Sequence, residues 1–223
     1  MVEHAETRPV LYRWPSAAQF GRVVPKTKFY EHGNVRTALR QKFIDRVQRV
    51  TWAYKLADST IRLGGTDAVP EIQVFTVETK GGDVGDDVLT TIDRAVHFPI
   101  LFEVSRGDDV RMVAAQKTLG GASPKVGSYF TTPWLPRDAP RSPLPTAIDL
   151  PALYESLLAS LLPVATRRGE SLSEVAARMD KAKKLEREIA ALERKLRAEP
   201  QLNRKIELRR ALKARQAALA DLT

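Results

Sequence analysis

The chain contains no cysteine, so disulfides and thiolate metal sites are excluded, and a bacterial-type cytoplasmic location is expected. Its three histidines, His4, His32 and His97, lie far apart and show no ligand spacing, so no zinc site is predicted. No run of about 18 apolar residues exists, so no membrane span is expected. The N-terminus lacks the basic-then-apolar pattern of a signal peptide. No G-x-x-x-x-G-K-[ST] phosphate loop and no G-x-S-x-G elbow occur, and the Gly-Gly pairs at 64–65, 81–82 and 120–121 read as turns.

What is present is a core and an uneven charge. The 223 residues are 43% hydrophobic and carry a net charge of +9, enough for one ordinary domain plus an appendage. Residues 1–80 hold 13 basic against 8 acidic residues, residues 81–166 hold 7 against 10, and residues 167–223 hold 16 against 9. Both ends are basic and the middle is not, a distribution suited to a polyanion or an acidic protein surface, or to solubility alone.

The pattern predicts an α/β (α+β) fold, a mixed sheet with packed helices, over residues 1–165, followed by a helical hairpin or coiled-coil extension over 166–223. Residues 9–33 read as extended and loop-like, because Pro9, Pro15 and Pro25 interrupt any helix. Asn34 is placed to cap a helix whose stripe runs Val35, Leu39, Phe43, Val47, Val50 and Tyr54. Strands are expected at 60–63, 71–80, 98–104 and 110–117, with a helix at 87–96. Residues 119–148 form a long connection pinned by the aromatics of SYFTTPW. Trp14, Trp52 and Trp134 read as core anchors. A buried helix follows Asp149 and stops at Pro163. Ala182, Leu185, Ile189, Leu192 and Leu196 then space as a coiled-coil seam, opened by a Ser171/Glu174 capping box. Pro200 breaks it, and a second helix runs to Leu222, giving an antiparallel hairpin or a kinked rod.

Three groups of residues are candidates for function. In FGRVVPKTKFYEH (20–32), Arg22, Lys26 and Lys28 are placed to meet phosphates while Phe29 or Tyr30 stacks on a base; alternatively the aromatics pin an arm to the sheet and the lysines are solvated. His32 is a structural histidine or a general base without a visible partner. Glu78-Thr79-Lys80 ends a predicted strand. A strand's period of two puts both side chains on one face, as in PD-(D/E)xK nucleases, where a carboxylate holds Mg2+ and a lysine activates water. Asp67, or Asp58, would complete that catalytic set; the alternative is an exposed Glu–Lys pair. Arg204, Lys205, Arg209 and Arg210, with Lys213 and Arg215, crowd the last helix and fit either a DNA backbone or a solvated helical face.

LYRWPSAAQFGRVVPKTKFYEHGNVRTALRQKFIDRVQRVTWAYKL, with IDRAVHFPILFEV and PQLNRKIEL, resembles the bacterial domain-of-unknown-function family 4391 (DUF4391). The similarity runs from about Leu11 to about Leu212. Pro200 is a departure, since relatives usually carry a helix-friendly residue there. The resemblance implies a setting beside helicases and DNA methyltransferases in restriction-like, phage-defence loci, and no particular activity. The expectation is an accessory, non-enzymatic subunit without a cofactor. It would dock a helicase or DNA methyltransferase of the same locus, contact DNA, and pair with itself through its C-terminal helices. The alternatives are a Mg2+-dependent nuclease, possibly degenerate, centred on Glu78, Lys80 and Asp67, and a self-assembling coiled-coil protein.

Overall fold

The computed structural model describes residues 11–31, 35–119, 124–162, 170 and 172–222. The chain divides into two compact units, Met1–Ala165 and Thr166–Thr223. Among the described residues the architecture is mixed α/β, with seven helices.

In the first unit the strands are β1 (Leu11–Tyr12), β2 (Gln19–Val23), β3 (Val47–Leu56), β4 (Ile72–Thr79), β5 (Ile100–Arg106), β6 (Asp109–Thr118), β7 (Lys125–Thr131), β8 (Leu135–Pro136) and β9 (Arg141–Ser142). The helices are α1 (Thr27–Glu31), α2 (Thr37–Arg46), α3 (Asp58–Ile61), α4 (Asp86–Ala95) and α5 (Leu150–Ala159). The main sheet has the order β2-β3-β4-β5-β6-β7, with β8 also on β6. Only β4 and β5 run parallel, joined by the α4 crossover; the other neighbours are antiparallel. β1 and β9 form a separate two-stranded parallel pair.

Alternation along the strands builds two apolar faces. Phe75 and Val77 on β4, with Phe102 and Val104 on β5, join Phe43, Leu89 and Ile92 of α2 and α4 in one buried cluster. The alternate residues Ile72, Val74, Leu101, Met112 and Ala114 are also buried. Leu150, Leu153, Tyr154, Leu157 and Leu158 of α5, which packs against β6, are buried outside the first cluster. β5 is buried along nearly its whole length, as its continuous apolar run predicts. An aromatic from each of five strands crosses the first face. Phe20, Trp52, Phe75, Phe102 and Tyr129 follow one another at centroid spacings of 4.0, 6.2, 6.5 and 6.4 Å.

The expected helix over 35–54 is two elements: α2 ends at Arg46 and β3 begins at Val47. Val47 and Val50 are three residues apart, which a regular strand would put on opposite faces. A bulge between Val47 and Arg49 returns both to the same core, so a helical spacing is satisfied by an irregular strand. The expected strand at 60–63 is instead the short helix α3, whose Thr60 hydroxyl accepts from the Ala57 N–H. The expected connection at 119–148 contains β7, with Tyr129 and Phe130 buried. Residues 9–33, expected to be extended and loop-like, contain the extended β1 and β2, and also the short helix α1, which the prolines were expected to prevent. The helix expected to stop at Pro163 ends earlier, at Ala159 with Ser160 as its C-cap, and α2 takes Arg36 rather than Asn34 as its N-cap. Asn34, Pro163 and the expected cap Ser171 themselves lie outside the described residues. Asp149 does cap α5, its Oδ1 accepting from Ala152 N at 2.8 Å.

The second unit consists of α6 (Leu172–Ala198) and α7 (Leu202–Ala220), packed on each other. The break falls at Glu199–Gln201, around Pro200. Arg178 Nη1 donates to the Leu222 carbonyl at 3.0 Å and Arg215 Nε to Glu188 at 2.7 Å, contacts that only an antiparallel hairpin makes.

Candidate functional site

Glu78 and Lys80, at the carboxyl end of β4, take different partners. Glu78 lies opposite Arg49 on β3 and accepts from its Nε at 2.7 Å and Nη2 at 2.6 Å. β4 ends at Thr79, so the strand period no longer governs Lys80. Its N–H donates to the Arg46 carbonyl at 2.9 Å and its Nζ to the Ile44 carbonyl at 2.8 Å. Gly81, at φ +95°, turns the chain away. Lys80 is thus a cation on the C-terminus of α2, where unsatisfied carbonyls and the helix dipole favour it.

Asp67 belongs to the connection that leads into β4 at Ile72, and Asp58 opens α3. The register sets Leu56 against Ile72 and Arg49 against Glu78, so these aspartates flank the opposite end of the β3–β4 ladder. Six residues of strand separate the two ends, about 20 Å. The structure does not bring Asp67 or Asp58 to Glu78 and Lys80. Among the described residues, no group of three or more His, Asp and Glu side chains is positioned to hold a metal ion.

The basic arm divides into structural and exposed residues. Phe29 is buried and stacks on Phe43, with centroids 6.3 Å apart. Lys26 Nζ donates to the Val47 carbonyl at 2.7 Å and lies 3.5 Å from the Phe43 carbonyl, so it joins Lys80 on the same helix end. Desolvation, and then the charge of Lys80, hold its pKa below the usual lysine value. Arg22 is exposed on edge strand β2 and Lys28 is exposed on α1. Among the described aromatic side chains of the arm, Phe20 is exposed, at 45%, and Phe29 is not. The side chain of Tyr30, and His32, lie outside the described residues.

Buried polar contacts that composition did not point to hold this unit together. Lys117 Nζ donates to Asp93 Oδ1 at 2.9 Å and to the Asp93, Val96 and Phe98 carbonyls at 2.6, 2.5 and 2.8 Å. Tyr129 donates to Asp93 Oδ2 at 2.9 Å. Burial pulls the lysine's pKa down and the aspartate's up, while each partner's charge opposes this. Four acceptors around one Nζ call for an ammonium, so the pair is ionic and saturated, a structural element. Glu103 is gripped by both Nη atoms of Arg141, at 2.7 and 3.2 Å, and by Trp14 Nε1 at 2.6 Å. Arg106 and Arg111 lie 4.3 and 5.0 Å from the Trp134 ring centre. The available signal was a charged residue on an otherwise apolar stripe: Asp93 follows Leu89 and Ile92, and Lys117 ends an apolar strand.

The hairpin has a different surface. Leu185 is buried, but Ile189, Leu192 and Leu196, and the opposing Leu208, Leu212, Leu219 and Leu222, are only half-buried. Leu202 and Ile206, one turn apart on α7, are 69% and 41% exposed. Arg204, Arg209 and Arg210 are exposed and Lys205 is half-buried. Arg209, Arg210 and Lys213 follow Ile206 on the outer side of α7, since positions three, four and seven residues on share a face. Among the described residues, α7 makes one ion pair, Arg215–Glu188.

Together these features define a mixed α/β protein with a C-terminal helical hairpin, in which the strand-end carboxylate and lysine serve the scaffold. The chain belongs to the family described as domain of unknown function (DUF4391), whose model matches residues 13–219. No curated protein and no solved structure matches it. Among the described residues, no helix is long and apolar enough to cross a membrane.

Proposed function

We propose that this protein is a non-enzymatic accessory subunit whose C-terminal hairpin docks an acidic protein partner. The observation that carries this reading is the outer side of α7, where exposed Leu202 and Ile206 stand beside Arg209, Arg210 and Lys213, cations without a counter-charge among the described residues. Exposed leucine and isoleucine gain by entering an apolar pocket, about 1.5–3 kcal/mol for a fully buried side chain. A phosphate backbone offers them no such pocket. An acidic protein groove satisfies both the apolar and the cationic half of the patch. DNA contact through Arg22, Lys28 and the arginines of α7 is the secondary part of the reading. Lys26 is committed to α2 and takes no part.

The locus setting implied by the family resemblance makes a helicase or DNA methyltransferase encoded beside the gene the first partner to test. Co-expression and affinity capture of the full chain with each one, with and without nuclease treatment, is the experiment. The expected result is capture that survives nuclease and is lost on Leu202→Asp with Ile206→Asp. Capture that disappears with nuclease, or that the double variant leaves intact, overturns the proposal. A chain that is a stable oligomer by light scattering, and loses that state in the same variant, would favour self-assembly instead.

The nuclease reading has weaker support, since Glu78 and Lys80 are engaged by Arg49 and α2 and no aspartate joins them. Metal-dependent plasmid cleavage abolished by Glu78→Ala would reinstate it.

A further inference from the structure

A cavity of about 470 Å³ opens between α1, α2 and α4, and none of the catalytic candidates Glu78, Lys80, Asp67 and Asp58 lines it. Its size lies within the range of small-molecule sites. Phe29, Leu39, Ala38 and Ala95 supply apolar walls, and Phe29 itself is 97% removed from solvent, since its relative exposure is 3%. Three cations line it: Arg36, Lys42 and Arg94. Lys42 is neutralised by Asp87, whose Oδ2 accepts from its Nζ at 2.5 Å. No ion pair among the described residues engages Arg36 or Arg94. The remaining polar wall residue, Thr91, has its hydroxyl proton committed to the Asp87 carbonyl at 2.8 Å.

We infer that this cavity binds a small amphipathic anion, an aliphatic or aromatic body carrying a single carboxylate, sulfonate or phosphate. The chemistry follows from what lines it. Burying the body against Phe29, Leu39 and Ala95 removes apolar surface from water. Two unmatched guanidiniums at the rim supply charge-assisted hydrogen bonds to an anionic head. A nucleobase or a sugar needs several convergent donors and acceptors. Beyond Lys42 and Asp87, which satisfy each other, this cavity offers two guanidiniums and one hydroxyl whose proton is spent, so nucleosides and sugars are disfavoured ligands.

Anilinonaphthalene sulfonate is a probe of this chemistry, and phenyl naphthylamine presents the same rings without the charge. Fluorescence titration of the full chain with both, followed by competition with decanoate and with inorganic phosphate, tests the inference. The expected result is saturable sulfonate binding that decanoate displaces and inorganic phosphate alone does not. Arg94→Glu, an exposed substitution that keeps the fold, should weaken the sulfonate about tenfold and leave the neutral probe within about twofold. Ala95→Trp, which fills the cavity, should remove both signals. Sulfonate binding that survives both variants in folded protein, or an absence of saturable binding, overturns the inference.

Discussion

The α/β unit and the hairpin are both rich in charge, but they use it in opposite ways. In the α/β unit many cations work for the scaffold. Lys26 and Lys80 hold the end of α2, Lys117 fills a cage of acceptors, Arg141 clamps Glu103, and Arg49 meets Glu78. In α7 Arg204, Arg209, Arg210 and Lys213 are exposed while Arg215 meets Glu188 of α6, and its apolar residues are nowhere fully buried. A basic residue in this protein therefore has no single meaning. Its neighbours in space decide whether it is structure or surface.

The largest effect that would break this comparison lies at Lys117. Replacing it with Met leaves Asp93 charged and buried without its partner, a loss of about 3–5 kcal/mol in chemical denaturation. The double change Lys117→Met with Asp93→Leu should recover part of that loss, because no orphan charge remains. Equal loss in both variants would show that packing, and not charge pairing, dominates.

Alkaline pH comes next. Burial, reinforced by the Asp93 charge at Tyr129 and Tyr154, raises the pKa values of Tyr129, Tyr154 and Tyr12 above 10.0. The folded state then keeps phenolic protons that the unfolded chain releases, so stability is full below pH 10.0 and falls above it. Each tyrosine contributes a slope of up to about 1.4 kcal/mol per pH unit. The lysines do not disturb this above about pH 11, where those with lowered pKa values have lost their protons in both states. Denaturant midpoints between pH 11 and 12 should decline, less steeply in Tyr129→Phe; a flat profile contradicts the assignment.

Smaller still are the helix-end lysines. Lys26→Met and Lys80→Met should each cost about 0.5–1 kcal/mol, and Lys80→Met should do so without altering any DNA affinity. The smallest effect belongs to the hairpin. Arg209→Glu with Arg210→Glu should change stability by no more than about 0.5 kcal/mol while abolishing partner capture. A large stability loss there would mean those arginines serve the fold after all.

The comparison also shows which features were legible. α4 and α5 carry clean apolar stripes, β5 a continuous apolar run, and Pro200 an unmistakable break, and each appears where local pattern put it. Lys80 was misleading because E-x-K implies a shared strand face only while the strand continues, and β4 stops one residue short. β3 was hidden because its bulge mimics helical spacing. The Lys117–Asp93 pair joins residues 24 positions apart, a proximity that no local window contains.

By itself the chain's order of residues determined the α/β character, the apolar extent of its central strand and the split into two terminal helices, because these follow from periodicity and from the conformational limits of proline. Only the tertiary structure decided which charges are spent and which are free, because pairing depends on distances across strands and helices that sequence spacing does not encode. The antiparallel course of the hairpin was settled in the same way, by Arg178 meeting the far end of α7.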